Sequence, residues 1–483
     1  MSRSILDNII KRCTDTLRTD DGISGSMHYT ETLSWILFLK FLYDKESESA
    51  LNAEASFQEY NYTIDEKYHW DKWAKNKDLT GSSLIEFIND DLIPYLAGLK
   101  GVNKADRRDV ISAIFSEVTN RVQSGYLLKD VLLEVDQIKF NSSDDIHTLS
   151  FLYESLLQKM GDDGGNSGEF YTPRPVVRFI VECVEPKIGN TILDPASGSC
   201  GFLAETYEYL KEKAGTSSQI KILSEETFFG NEKTSLAYLL GLMNMLLHGV
   251  DYPQIAKTNT LSKNIRQIEE SEKYDVILSN PPFGGKEQMI VQQNFPIEAT
   301  ATELLFLQYI MKTLKFDGKA AVVVPEGVLF RTNDAYKQVK TELLEIFNVH
   351  SIVSLPSGVF LPYSGVKTSI IFFDKTKKTE DVWFYEIPLI KEKKLTKNAG
   401  ISSEHFIHAS DLFEKRALSE HSWLVPVEEI LKNDTNLSAS RYNPYEEEEE
   451  KLLEPEEYAT EISRLLEKSL ELITPFMKSG GSR

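Results

Sequence analysis

Asn280, Pro281, Pro282 and Phe283 close an apolar run, "YDVILS", with a rigid turn. Two consecutive prolines supply no backbone N–H, and the residue ahead of them is pushed into an extended or turn conformation. The Asn280 amide oxygen can accept one hydrogen of an exocyclic amino group. The Pro281 carbonyl can accept the other, because no local donor competes for it. Phe283 can stack on a flat heterocycle. Together these groups fit the Watson–Crick edge and face of a purine lifted out of a duplex, with the amino lone pair turned toward an electrophile. A proline-rich strand end with no ligand is the plainer alternative.

Two other strand-to-helix passages carry unusual chemistry. In "ILDPASGSCGFL", Asp194 ends a strand, Pro195 turns the chain, and Gly198 and Gly201 permit close backbone approach ahead of a helix. Such a loop can cradle a nucleotide-like ligand at the helix N-terminus, and it reads equally as an ordinary tight turn. It lacks the GKS or GKT of a phosphate loop and the G-x-G-x-x-G of a dinucleotide site, which disfavours ATP hydrolysis and NAD chemistry. In "FFGNE", Glu232 ends the next strand, where a carboxylate can accept hydrogen bonds from both ribose hydroxyls. Alone it reads as a helix-start carboxylate favoured by the dipole.

The elements that position these residues change character along the chain. From residue 4 to about 157 apolar residues recur at helical spacing, as in "SILDNIIKRCTDTL", "TETLSWILFLKFLYDKE" (Thr30 as N-cap), "GSSLIEFINDDLIPYLAGL", "DVISAIFSEV" and "DDIHTLSFLYESLLQKM". "GDDGGNSG", Gly161 to Gly168, is a loop. Then "PVVRFIVECV" is a helix opened by Pro175, "TILDPASG" a strand, and "GFLAETYEYLKEKAG" a helix ending on Gly215. "ETFFGNE", "YDVILSN", "KAAVVVPEGVLF", "VHSIVSLP" and "TSIIFFDK" read as further strands, with helices at "KTSLAYLLGLMNMLLHG" and "ELLFLQYIMKTLK". Continuous apolar strands alternating with helices give an α/β fold with a mostly parallel sheet covered on both faces. Ligands bind outside the carboxyl ends of such strands, where all three passages lie. Past about residue 405 the chain turns acidic. The run Glu446 to Glu450 reads as a solvated helix start, and Ile462, Leu465, Leu466, Leu470 and Ile473 form a stripe suited to a partner.

The chain of 483 residues is long enough for two or three domains. Its 74 acidic against 53 basic residues, a net charge of -21, argue against a protein that coats nucleic acid through a uniformly positive surface. A local basic groove or a basic partner stays compatible. Cys13, Cys183 and Cys200 have neither CxxC nor His-rich companion spacing, so neither a disulfide framework nor a metal site is expected. The start has no secretory pattern and "LSWILFLKFLY" is too short to span a bilayer, so no membrane association and a reducing, cytoplasmic setting are expected.

"DPASGSCGF" followed by "NPPF" resembles the S-adenosylmethionine-binding and catalytic motifs of amino-group DNA methyltransferases. "GEFYTPRPVVRFIVE" precedes both, the order of the gamma class. With the helical front end, "LPSGVFLPYSGVKTSIIFF" and "LSASRYN", nearly the whole chain resembles the methylation subunit of a type I restriction-modification system. The resemblance implies a Rossmann-like methyltransferase domain over 158–420, an all-α domain over 1–157 and a helical tail over 421–483 for subunit docking. It implies that Glu169, Phe170, Tyr171, Thr172, Pro173 and Arg174 border the methionine portion of the cofactor. Asp194, Ser197, Gly198 and Ser199 would form the cofactor loop, Glu232 would hold the ribose, and Asn280, Pro281, Pro282 and Phe283 would hold the target adenine. Cys200 stands where glycine is common, and Asn259 where an aspartate commonly meets the cofactor's adenine, so an altered affinity is expected.

The implied activity is site-specific N6-adenine methylation of DNA, with no metal and no strong general base. No segment after Phe283 reads as a self-contained sequence-reading domain. The implied partners are therefore DNA, a separate specificity subunit, a second copy of the methylation subunit and a restriction subunit that uses ATP. The alternatives are a stand-alone adenine methyltransferase and a catalytically silent cofactor-binding scaffold. An N4-cytosine enzyme is disfavoured, since Ser-Pro-Pro-Tyr is its more usual motif.

Overall fold

The structure is a computed structural model. It describes residues 3–139 except 103–104, and 172–445 except 362–363, 391–393 and 397–398. The expected helix "DDIHTLSFLYESLLQKM", the loop 161–168, the Glu446 to Glu450 run and the C-terminal apolar stripe lie outside these residues.

The front of the chain is helical. α1 (Arg3–Leu17), α2 (Ser26–Ala55), α3 (Arg107–Phe115) and α4 (Gly125–Asp136) bury apolar residues from successive turns, Leu33, Ile114 and Leu132 among them. Between α2 and α3 the segment "GSSLIEFINDDLIPYL" is helical but passes through a π-helical turn at Phe87–Leu92 just before Pro94. The wider turn accommodates a proline that cannot donate the usual backbone bond. Thr30 is not the N-cap of α2. The helix starts at Ser26 after Gly25, whose φ is 83°, so Thr30 lies one turn inside with its Oγ1 buried and without a hydrogen-bond partner among the described residues.

The rest of the described chain builds a nine-stranded sheet in the order β3-β2-β1-β4-β5-β7-β6-β8-β9. The strands are β1 (Ile192–Asp194), β2 (Phe228–Glu232), β3 (Gln254–Lys257), β4 (Tyr274–Ser279), β5 (Leu314–Pro325), β6 (Asn348–Ser354), β7 (Thr368–Asp374), β8 (Asp381–Glu386) and β9 (Ser422–Pro426). β1 to β5 pair in parallel, β7 runs antiparallel between β5 and β6, and β8 lies parallel to β6. From β1 the chain winds outward through β2 to β3, then returns to place β4 on the other flank of β1. The crevice between the carboxyl ends of β1 and β4 is therefore the topological switch point, the ligand position of doubly wound sheets.

α5 (Arg174–Val184), α6 (Gly201–Lys211), α7 (Ser235–His248) and α8 (Thr302–Thr313) cover the sheet. α2 and α3 pack on α7, so one apolar cluster is continuous from Leu6 to Met243 and Phe413. Arg107 to Asp251 at 2.6 Å and Lys257 to Glu117 at 2.6 Å tie the helical front to the β3 side of the sheet.

Several boundaries differ from expectation. The strand "KAAVVVPEGVLF" ends at Pro325, and Glu326–Phe330 is a helix. α6 stops at Lys211, four residues short of Gly215, and only loose turns continue it. β9 pairs with β8 in the sheet and the helix Val427–Lys432 follows it, so the boundary expected at residue 420 falls inside the sheet domain. The compact unit runs to Ala439, and a separate unit begins at Ser440. Among the described residues no helix is long and apolar enough to cross a membrane.

Candidate active site

β1 delivers Asp194 to the switch point, 2% exposed. Its Oδ1 accepts from the Ala196 N–H at 3.1 Å and from the Ser279 hydroxyl at 3.0 Å. Burial raises the Asp194 carboxyl to about 7; the two hydrogen bonds oppose this and the charge of Glu232 adds to it. Ser279 immediately precedes Asn280, so one hydroxyl links the two loops.

The loop that follows is fixed from below by neighbouring elements. Ser197 donates to the Asn231 carbonyl from both its N–H, at 3.0 Å, and its hydroxyl, at 3.3 Å. Gly198 has φ 50°, and its N–H donates to Glu232 Oε2 at 2.9 Å. The Ser199 carbonyl accepts from Asn244 Nδ2 of α7 at 2.9 Å. Cys200, at φ 60°, holds the left-handed position that precedes α6. That conformation explains why glycine suits this place; here cysteine occupies it, with its thiol buried and its pKa pushed far up by burial.

Gly241 of α7 makes the close approach possible. A Cβ there would stand 2.7 Å from Cys200 Sγ and 3.0 Å from the Gly198 carbonyl.

Glu232 ends β2, buried, with Oε1 accepting from the Thr234 N–H at 2.7 Å and Oε2 from Gly198. Burial raises its pKa against these bonds. It borders a cavity of about 210 Å³ that also touches Pro195, Asn259, Pro282 and Phe306. Asn259 Oδ1 is turned inward to cap its own turn, accepting from the Leu261 N–H at 3.1 Å. Its amide nitrogen is the group left for a ligand on that wall.

At the end of β4, Asn280 Nδ2 donates to Thr172 Oγ1 at 3.0 Å. Its Oδ1 is buried and has no hydrogen-bond partner among the described residues. Phe283 meets Phe360 edge to face, ring centroids 5.8 Å apart at 87°. Glu303, in the first turn of α8, accepts from the Gly284 N–H at 2.5 Å and anchors the turn from behind. Thr172 is held in turn by α5. Pro173 precedes that helix, and Arg178 and Arg174 reach the buried carboxylate of Glu205 on α6 at 2.8 and 3.5 Å.

The fold thus brings Thr172, Asp194, Ser197, Gly198, Glu232 and the Asn280–Phe283 turn to one crevice, with Asn259 on its far wall. Glu169, Phe170 and Tyr171 lie outside the described residues. Sequence reasoning missed Ser279, Asn231, Asn244, Gly241 and Glu303 as supports, and Phe360 as the ring behind Phe283. Only Ser279, a hydroxyl next to Asn280 at the tip of an apolar strand, carried a local signal.

Comparison with known proteins shows the family of the chain. The N-6 DNA Methylase family matches residues 144–451, and the HsdM N-terminal domain matches residues 6–135. The chain is 38% identical over 456 residues to the type I restriction enzyme EcoEI methylase subunit of Escherichia coli, covering 92% of this chain and 91% of that one. A crystal structure of a modification subunit from Vibrio vulnificus YJ016, ascribed to a type I restriction enzyme, superposes with a TM-score of 0.84 at 41% identity, covering 89% of this chain and 93% of that one. A structure described for complex assembly and conformational transition of the type I R-M system matches at TM-score 0.76 and 45% identity, covering 99% and 98%.

Proposed function

The chain belongs to the N-6 DNA methylase family, as a type I restriction-modification methylase subunit, and from that premise we propose that it methylates N6 of an adenine lifted out of duplex DNA. S-adenosylmethionine is the proposed methyl donor, and a separate specificity subunit the proposed reader of the DNA sequence. The observation that carries this reading is the buried Asn280 Oδ1, which has no partner while its Nδ2 is committed to Thr172. A buried acceptor left unmade is costly unless a ligand donor completes it. An exocyclic amino group is such a donor.

The crevice fits the cofactor by the chemistry of its walls. Glu232 accepts the Gly198 and Thr234 N–H groups, with the Lys233 N–H and the Thr234 hydroxyl also bearing on its carboxylate, and it lines the cavity, where a carboxylate suits a vicinal diol. Asp194, Ser197, Gly198 and Ser199 present the loop for its methionine side, Asn259 its adenine side, and Thr172, Pro173 and Arg174 its outer cover; the same role is proposed for Glu169, Phe170 and Tyr171, which lie outside the described residues. The bound cofactor supplies a methyl group already activated by a sulfonium, so the protein's part is positioning. Asn280 Oδ1 and the Pro281 carbonyl draw the two amino hydrogens, which turns the nitrogen lone pair toward the donor. Pro282 keeps the turn rigid, and Phe283, backed by Phe360, covers the base.

The assembly is read from charge and from the relatives. A net charge of -21 disfavours broad DNA binding by this chain alone. We assign it to the cytoplasm, in a complex with DNA, a specificity subunit and a second methylation subunit, which a restriction subunit can join. The C-terminal apolar stripe is the proposed docking element for the specificity subunit.

Tritiated methyl transfer to DNA, with and without a co-purified partner, tests this. Signal only with the partner, on adenine, is expected. Signal from the chain alone moves the reading to a stand-alone enzyme. Full adenine methylation by a folded Asn280→Ala variant would falsify the role given to the tetrad.

A further inference from the structure

A second cavity, of about 700 Å³, lies outside the carboxyl ends of β6 and β8, two strands that run parallel side by side. The turn 355–361 separates it from the catalytic crevice. Gly358 and Leu361 of that turn line the cavity, while Phe360, between them, meets Phe283.

The cavity has three chemically distinct parts. Its walls are apolar, from Leu355, Pro356, Ile387, Pro388 and Leu395. Its rim carries Lys367, Lys394 and His421, a concentration of basic side chains in a chain whose acidic residues outnumber its basic ones, 74 to 53. Glu386 also lines the cavity, 3.7 Å from the Lys367 ammonium, and offsets part of that charge, which leaves the exposed Lys394 as the cation most open to an anion. Third, Ser354 lines the cavity at 2% exposure, and its Oγ is buried without a hydrogen-bond partner among the described residues. Nearly all buried hydroxyls are bonded, so an unmade bond at a cavity marks a place for a ligand atom.

Apolar walls, ammonium groups at the rim and one waiting hydroxyl match a nucleotide. A free phosphate would leave the walls unused. Given the function proposed above, on which this rests, we infer that this cavity is a second subsite for the substrate strand. It takes the nucleotide next to the target adenosine, with the phosphate at Lys367 and Lys394. The turn 355–361 borders both places, with Gly358 and Leu361 on the cavity and Phe360 against Phe283, so a strand with its target base at Asn280 can leave its neighbouring nucleotide here.

The test uses the complex with the specificity subunit and duplexes carrying a single neutral methylphosphonate at each phosphate flanking the target in turn. Lys394→Gln should weaken DNA binding about three- to tenfold and lower the slope of log K against log salt by about 0.9, as expected for one lost phosphate contact. At one flanking position the methylphosphonate and Lys394→Gln should together cost no more than either alone. Ser354→Ala should weaken DNA binding with the melting temperature unchanged or raised, since no internal bond is lost. Additive losses at every phosphate with an unchanged salt slope overturn the subsite. So does a Lys394→Gln variant that loses the specificity subunit but binds DNA with the original salt slope, which would make the cavity a protein-docking surface. Methyl transfer by the unmodified complex is followed alongside. Transfer without phosphate coupling sinks this inference alone, whereas coupling without transfer sinks the catalytic reading and leaves the subsite standing.

Discussion

Asn280 and Thr172 stand 108 residues apart in the chain, and the amide of the first donates to the hydroxyl of the second at 3.0 Å. The bond fixes which end of the amide is spoken for, leaving Oδ1 as the acceptor that the proposed function gives to the substrate. Thr172→Val keeps the shape and removes the acceptor, so the amide can rotate. We expect kcat to fall about three- to tenfold, in line with the roughly 1 kcal/mol of one neutral hydrogen bond, while Thr172→Ser retains most activity. Single-turnover methyl transfer measures this. A Thr172→Val variant with normal kcat but weakened cofactor binding would place the threonine on the cofactor instead.

Gly241 on α7 sets how deep the loop 194–201, the proposed cofactor loop, can sit. An alanine there favours the helix by its intrinsic propensity, roughly 1 kcal/mol, but its Cβ would press on Cys200 Sγ at 2.7 Å and the Gly198 carbonyl at 3.0 Å. Gly241→Ala is therefore expected to weaken cofactor binding about tenfold by calorimetry, on the scale of the 1 to 3 kcal/mol of overpacking. Adding Cys200→Gly should recover part of the loss, because it removes the sulfur and tolerates φ 60°. Normal cofactor affinity in the single variant would show that the loop yields freely.

Asp194 makes the free protein's stability depend on pH in an uncommon direction. Its carboxyl is raised from 3.8 to about 7 in the folded chain, so between those values the folded state binds the extra proton. Stability from this group is present below 3.8 and declines as pH rises toward 7, where both states become ionised. Asp194→Asn removes the titration. The melting temperature of the natural chain relative to this variant should fall between pH 5 and pH 8, read by calorimetry without cofactor. A difference that is flat or rises with pH would mean that the carboxylate is ionised throughout.

What could be read from the residues follows burial only in part, since β8, with four consecutive buried residues, is absent from the expected strands. β1, β4 and β7 are covered on both faces and read as continuous apolar runs, and the strand ends stand out because Asp194, Glu232 and Asn280 interrupt them. β3 was not legible: it is an edge strand with Ile255 its single buried residue, so no apolar run marks it. Thr30 misled because the strong periodicity starts at Leu33, whereas the backbone turns into the helix at Gly25. Asn244, Gly241 and Glu303 are ordinary helix residues in the sequence. Their roles arise only when the winding order sets α7 under the cofactor loop and α8 behind the proline turn.

Glu303 is the sharpest case of a support invisible in the sequence. Its carboxylate is buried and accepts from the Gly284 N–H directly behind Phe283, and the Thr302 N–H donates to the Gly285 carbonyl at 3.1 Å. The proline turn is thus clamped to the start of α8, whose Thr302 and Phe306, with Gly285, also line the cavity that Glu232 and Asn259 border, while Glu303 itself does not. Hydrogen bonds to charged acceptors contribute about 1.5 to 3 kcal/mol, so Glu303→Ala should lower kcat by roughly tenfold to a hundredfold. Glu303→Gln keeps an acceptor oxygen and should fall between. Because Glu303 does not line that cavity and, on the proposed function, supports the turn that holds the base, the affinity for S-adenosylmethionine should stay within about twofold, inside the additivity expected of separate sites. With 2-aminopurine at the target position, the fluorescence of the bound DNA should show a less confined base. Equal losses of cofactor affinity and kcat would mean instead that the residue holds up the whole crevice.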